Sequence, residues 1–208
     1  GYQYFPLKGR LNLLLIDKGN PFGNYSMLPR GILREPIRNM DRASYIFLTK
    51  SDGEPDPEIV EAIREHHPKV EIIECAHRPK YLQDLKTGDR LAVEVLKGAK
   101  IGAFSGIATP ENFEAGLLGL GAKLDVRFRF LDHHRFTDRE LEEISTQARL
   151  KGLDMVVTTE KDAVRIPDAF VPSVPFYYLR LEIEILSGAN DFNEAVARIC
   201  FPKEELRI

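Results

Sequence analysis

The sequence predicts an α/β fold, a mostly parallel sheet flanked by helices. Three observations carry this. Short apolar or alternating runs take turns with helical patterns along most of the chain, as strand-helix-strand units require. Helices open on cap-and-proline signals soon after such runs, at Asp56-Pro57-Glu58 and at Thr109-Pro110-Glu111. The residues able to do chemistry gather where a strand hands over to a helix, the edge at which open α/β folds bind ligands.

Composition narrows the class. With 208 residues the chain has room for one large α/β domain or two small ones. A net charge of −3, with no block of like sign, argues against an electrostatically driven nucleic-acid binder. Cys75 and Cys200 are too few and too unpatterned for a disulfide framework or a zinc site, so a reducing compartment is expected. No apolar run approaches the roughly 18 residues that span a bilayer. Any membrane contact made by this chain is expected to be peripheral. Residue 1 is Gly rather than Met, which reads either as the middle of a longer protein or as what a removed tag leaves.

Taken in order, Leu11 to Asp17 is a continuous apolar run ending in an acid, the pattern of a buried parallel strand. The loop from Lys18 to Arg30 holds six Gly, Asn and Pro residues, and a connection that long is more often functional than a spacer. It closes on Leu28-Pro29-Arg30-Gly31-Ile32-Leu33-Arg34-Glu35-Pro36. Arg34 there suits a phosphate oxygen and Glu35 a metal-bound water; a plain surface ion pair is the alternative. Ala43 to Lys50 reads as a second strand, the helix opened by Asp56 presents Ile59, Val60 and Ile63, and Val70 to Cys75 is a third strand. Cys75-Ala76-His77 reads as its end. Residues 78–98 are polar, with a turn at Lys86-Thr87-Gly88-Asp89, and are expected to link two lobes.

Lys100 to Ser105 is a strand, followed by a helix with Thr109 as its cap and Pro110 at its first position. The small residues Ser105, Gly106 and Ala108 leave backbone N–H groups open to an anion at that helix start, or simply make a tight turn. There is no Gly-Lys-Ser/Thr, so this is not a Walker loop. The helix ends at Gly119-Leu120-Gly121. Leu124 to Phe130 alternates apolar with charged residues, and Asp132-His133-His134 follows at its end. An acid beside an imidazole holds one ring tautomer and raises its basicity, which suits proton transfer near neutral pH. The alternative is a capped turn with two half-exposed rings. Adjacent residues at a strand end point to opposite sides, so only one of the two rings faces a site. Thr137 with Glu140 makes a capping box, and Leu141, Ile144 and Ala148 give the helix its core face. Asp154 to Thr158 is a further buried strand. The Glu160-Lys161-Asp162 charges after it lie at the edge of the Asp-His-His turn if the strands are parallel; the acids also suit a helix N-terminus. Phe176 to Leu186 is a long strand, and Asn190-Asp191 opens a last amphipathic helix through Phe192, Ala195, Val196 and Ile199.

Four stretches together resemble one family. They are Pro21-Phe22-Gly23-Asn24 with Leu28 to Pro36, Phe104 to Phe113, the Asp132-His133-His134 turn, and Thr158-Thr159-Glu160-Lys161-Asp162-Ala163-Val164. In this order, over nearly the whole chain, they are similar to tetraacyldisaccharide 4′-kinase of the lipid A pathway of Gram-negative bacteria. The resemblance implies a P-loop-kinase-like, Rossmann-like α/β enzyme, peripheral on the cytoplasmic face of the inner membrane. It implies transfer of the ATP γ-phosphate, with Mg²⁺, to the 4′-hydroxyl of a tetraacylated disaccharide 1-phosphate, a lipid A disaccharide precursor. Phosphoryl transfer needs phosphate cradling, a metal and a group that accepts the hydroxyl proton. Carried over by position, His133 is the proton-handling ring, Asp132 its supporting acid and His134 a support. Arg34 and Glu35 fall near the nucleotide, with Glu35 at the metal.

The departures from the family pattern set further expectations. The Gly-Lys-Thr loop and the partner Asp have no counterpart here, and Tyr2 and Tyr4 stand where Phe and His are usual. The chain then reads as a C-terminal part with the N-terminal P-loop half missing, inactive as a kinase by itself. Residues 1–77 are the expected remainder of the nucleotide-binding lobe, 78–98 a linker and 99–208 a C-terminal α/β lobe. Two other classes stay open. Asp-His-His also marks metal-dependent phosphoesterases, although their early Asp-x-Asp is missing around Asp17. The chain also suits a non-catalytic α/β binding module.

Overall fold

The computed structural model describes residues 2, 11–54 and 56–200. Gly1, Gln3 and Tyr4, part of the N-terminal stretch compared with the family, lie outside the described residues, as do 201–208. The chain divides into two compact units, one made of residues 1–78 with 183–208 and the other of 79–182. The sheet pairings are mostly parallel and helices flank them, as the sequence predicts.

In the first unit the parallel order is β1 (Leu13–Asp17), β2 (Tyr45–Thr49) and the first half of β3 (Glu71–Asp84). Helix α1 (Pro57–His66) connects β2 to β3 and starts where Asp56 accepts the Ile59 N–H at 3.2 Å. Alternation along β2 sends Ile46 and Leu48 to a cluster with Ile16, Phe22, Ile59 and Ile63. Phe47 goes the other way, to Ile73, Cys75 and Phe192. Phe192 lies on α5 (Ala189–Cys200) and meets the Phe47 ring edge-on at 5.1 Å.

Two expectations change in this unit. The apolar run of β1 is not wholly buried: Ile16 is 5% exposed, but Leu13 and Leu15 are 38% and 61% exposed. Strand β1 ends the strand order, and no described layer covers its second face. Cys75 is not a strand end either, since β3 runs on to Asp84 with the Cys75 thiol buried against the Leu48 carbonyl at 3.6 Å.

The second unit takes the rest of β3, paired antiparallel with β4 (Arg90–Ala92). Beyond it come β8 (Phe176–Ile185), β7 (Met155–Thr159), β5 (Lys100–Ser105) and β6 (Lys123–Arg129), the last four all parallel. Helix α2 (Pro110–Gly119) follows β5, α3 (Asp138–Leu150) follows β6, and the single turn α4 (Glu160–Ala163) follows β7. Alternation again sorts the core. Ile101, Ala103, Met155 and Val157 face Leu117 of α2, whereas Phe104 and Val156 face Leu141, Ile144 and Ala148 of α3.

Residues 78–98, expected as a linker, are folded: they carry the end of β3, β4 and a 3₁₀ turn at Val93–Leu96. Leu82 and Leu96 are fully buried, and the polar impression comes from the exposed positions that alternate with them. The second unit ends at Glu182 rather than running to the C-terminus, because β8 and α5 return to the first.

Candidate functional site

The C-terminal ends of β5, β6 and β7 share one edge of the second unit, since β6 and β7 both run parallel to β5. The chain leaving β6 is tied back to β5. Phe130 N–H donates to the Ser105 carbonyl at 2.9 Å and His133 N–H to the Gly106 carbonyl at 3.0 Å. His133 takes φ +61°, a left-handed conformation in which His is tolerated better than most residues. Its side chain is 79% exposed, and that of Asp132 49%.

The two rings part company, as the alternation of side chains requires. His134 stacks on Phe130 at 4.7 Å, meets Phe136 edge-on at 5.2 Å, and donates from Nε2 to Glu140, 3.1 Å from both carboxylate oxygens. Glu140 belongs to the capping box of α3. Its carboxyl is pushed down from 4.5 to about 2, first by the Thr137 backbone N–H, then by the His134 ring and the Thr137 hydroxyl. His134 therefore holds the turn together and His133 is the ring left facing outward.

Around His133 the nitrogens are distinguishable. Nε2 lies 3.7 Å from Asp132 Oδ2, too far for a hydrogen bond but close enough for attraction. Nδ1 lies 3.0 Å from an Arg165 guanidinium nitrogen. Arg165 reaches with its other terminal nitrogen to Asp162 Oδ1 at 3.2 Å. Asp162 is 0% exposed. Its Oδ2 accepts the Gly106 N–H at 3.0 Å and the Thr159 hydroxyl at 2.7 Å, while its own N–H donates to Thr159 Oγ1 at 3.2 Å.

This arrangement revises the reading of the β5–α2 turn. The Gly106 N–H, expected to be open to an external anion, already has one in the buried Asp162 carboxylate. Thr109 occupies the cap position of α2 but its side chain makes no capping hydrogen bond. Arg165 carried no signal in the sequence, because its partner His133 is 32 residues away. For Asp162, burial was the missing information: its position as a helix-start acid was legible, its role as the anchor of a buried network was not.

Arg34 and Glu35 lie in the first unit. Arg34 is exposed, with no hydrogen-bond or ion-pair partner among the described residues. Glu35 does not pair with it. Its carboxylate takes Arg42 at 2.8 and 3.0 Å and the Asn39 amide at 2.8 Å. Among the described residues no group of three or more His, Cys, Asp or Glu stands where it could share a metal ion. A hard divalent cation needs about six oxygen ligands, and a single carboxylate already neutralised by Arg42 does not meet that need. These residues alone do not fit Mg²⁺, whereas Arg34 fits a nucleotide phosphate oxygen.

Comparison with known proteins gives one family. The tetraacyldisaccharide-1-P 4′-kinase family matches residues 1–200. The tetraacyldisaccharide 4′-kinase of Anaeromyxobacter dehalogenans (strain 2CP-C) is 37% identical over 202 residues, covering 95% of this chain and 53% of that protein. That of Elusimicrobium minutum is 35% identical over 208 residues, covering 98% and 54%. Among solved structures, the apo form of LpxK from Aquifex aeolicus in complex with ATP matches with a TM-score of 0.68 and 24% identity, over 96% of this chain and 55% of that one. The last likeness shows the fold. The chain spans about half the length of the curated relatives it matches.

Proposed function

The chain belongs to the tetraacyldisaccharide-1-P 4′-kinase family, and we propose that it forms the C-terminal part of an enzyme that phosphorylates the 4′-hydroxyl of a tetraacylated disaccharide 1-phosphate, using ATP and Mg²⁺. The observation that carries this is the family match over residues 1–200. The substrate is a lipid A precursor, and the setting is the cytoplasmic face of a bacterial inner membrane, held peripherally. No described helix is long and apolar enough to cross a membrane. A nucleic-acid partner forms no part of this reading.

The roles fall as follows. His133, exposed at the strand edge, meets the acceptor hydroxyl and handles its proton, with Asp132 beside it. Arg34 contacts nucleotide phosphate oxygens. Glu35, held by Arg42 and Asn39, shapes the loop that presents Arg34. Mg²⁺, when bound with ATP, neutralises charge on the transferring phosphoryl group. The phosphoesterase alternative finds no support in the family match.

The test is ATP-dependent phosphate transfer to tetraacyldisaccharide 1-phosphate by the product of the complete reading frame, with the 208-residue chain assayed beside it. The complete product is expected to transfer phosphate and the chain alone to be inactive. His133→Ala in the active form is expected to lower kcat by about 10²- to 10⁴-fold, the usual worth of a proton-handling group. No transfer by the complete product would overturn the reading.

A further inference from the structure

We propose that Arg165 is a positioning residue that decides which nitrogen of His133 carries the proton, and hence which atom the ring offers to an acceptor. What the ring does with that atom rests on the kinase reading; the protonation state does not.

Arginine has five N–H donors, no acceptor, and is always charged. At 3.0 Å from Arg165, Nδ1 of His133 can only be the accepting partner, so the neutral ring holds its proton on Nε2. A proton on Nδ1 would set N–H against N–H. On the opposite side of the ring, the Asp132 carboxylate 3.7 Å from Nε2 attracts the same Nε2–H form. The two neighbours thus act in one direction.

Arg165 is in turn fixed. Its second terminal nitrogen is held by Asp162, which is fully buried and pinned by the Gly106 N–H and the Thr159 hydroxyl. The planar guanidinium spans from this anchor to the exposed ring, using one nitrogen for each. Lysine, a point charge on a flexible stem, keeps the charge near Asp162 but cannot reproduce the fork. The chain from Gly106 through Asp162 and Arg165 to His133 therefore transmits the rigidity of the sheet edge to a ring that is otherwise 79% exposed. With Nδ1 occupied, Nε2 is the nitrogen the ring presents outward.

A purely structural Arg165, present only to neutralise Asp162, would leave the ring unselected. Imidazole nitrogen NMR of the 208-residue chain, ¹⁵N-labelled at histidine and recorded at alkaline pH, separates the two. The native chain is expected to show His133 as the Nε2–H form alone, and Arg165→Lys, folded by circular dichroism, to show both forms in exchange. A mixed or Nδ1–H native ring overturns the proposal whether or not any variant folds, and so does an Arg165→Lys ring still wholly Nε2–H.

Discussion

Asp162→Asn isolates what the buried charge contributes, because it preserves shape while exchanging one acceptor for a donor. In the native fold three donors converge on two carboxylate oxygens: Gly106 N–H and the Thr159 hydroxyl on Oδ2, and Arg165 on Oδ1. An amide has one oxygen to give. If it keeps the Gly106 side, its NH₂ confronts Arg165 and a charge-assisted bond worth about 1.5–3 kcal/mol is lost. If it turns over, the NH₂ confronts the Gly106 N–H, and an orphaned buried donor costs about 1–3 kcal/mol. Arg165 is 23% exposed and can turn toward water, so the expected loss is about 2 kcal/mol. Asp162→Ala removes all three bonds and leaves the cation without its anion, which for buried pairs costs about 3–5 kcal/mol. Urea unfolding of the whole chain, followed by far-UV circular dichroism at neutral pH, measures both. Amide exchange at Gly106 should quicken in each variant. An Asp162→Asn chain within about 0.5 kcal/mol of the native one, the range of ordinary surface changes, would refute the buried-anion account.

Three further outcomes follow from the same edge. Thr137→Ala removes the side-chain arm of the capping box, the bond from the Glu140 N–H at 3.3 Å, together with the hydroxyl's own bond to the Glu140 carboxylate at 2.8 Å, while the Thr137 N–H keeps its bond to that carboxylate, and should cost about 1 kcal/mol in urea unfolding. Glu140 titrates at about 2 in the fold against 4.5 ordinarily, so its contribution is present above 4.5 and is lost as pH falls toward 2. Denaturation midpoints across that window should fall less steeply for Glu140→Gln than for the native chain; equal slopes would refute the assignment. Gly106→Ala would place a Cβ 3.1 Å from the Leu131 carbonyl oxygen and 3.3 Å from Asp162 Oδ1. That crowding should destabilise by about 1–3 kcal/mol, visible as a lowered Tm.

What the sequence made legible was local. The capping box at Thr137 and Glu140, the Asp56 cap and strand Lys100–Ser105 lie where the pattern put them, because caps and alternation are written within a few residues. That the two rings face opposite ways was legible too, since opposite-facing neighbours need no tertiary knowledge; which of them faces outward was not. Arg165 is different. Its contact with His133 and that of Gly106 with Asp162 span 32 and 56 residues, and no local period records which distant strands lie side by side. The exposure of Leu15 escaped for a related reason. An apolar run says that a strand can be buried on both faces, not that a second layer is there to cover it.

The way the two units share the chain has a consequence for how the protein is made. Residues 79–182 are continuous, whereas the other unit is split around them, with Lys80 and Glu182 only 3.6 Å apart at the entrance and exit. During synthesis the nested unit, with the whole His133 network, has all its strands by residue 182. The outer unit must wait for Phe192 to cover Phe47 and Tyr45. A ribosome stalled between those points leaves a finished His133 edge attached to an unfinished partner, and quality-control proteases would meet the exposed Phe47 face first.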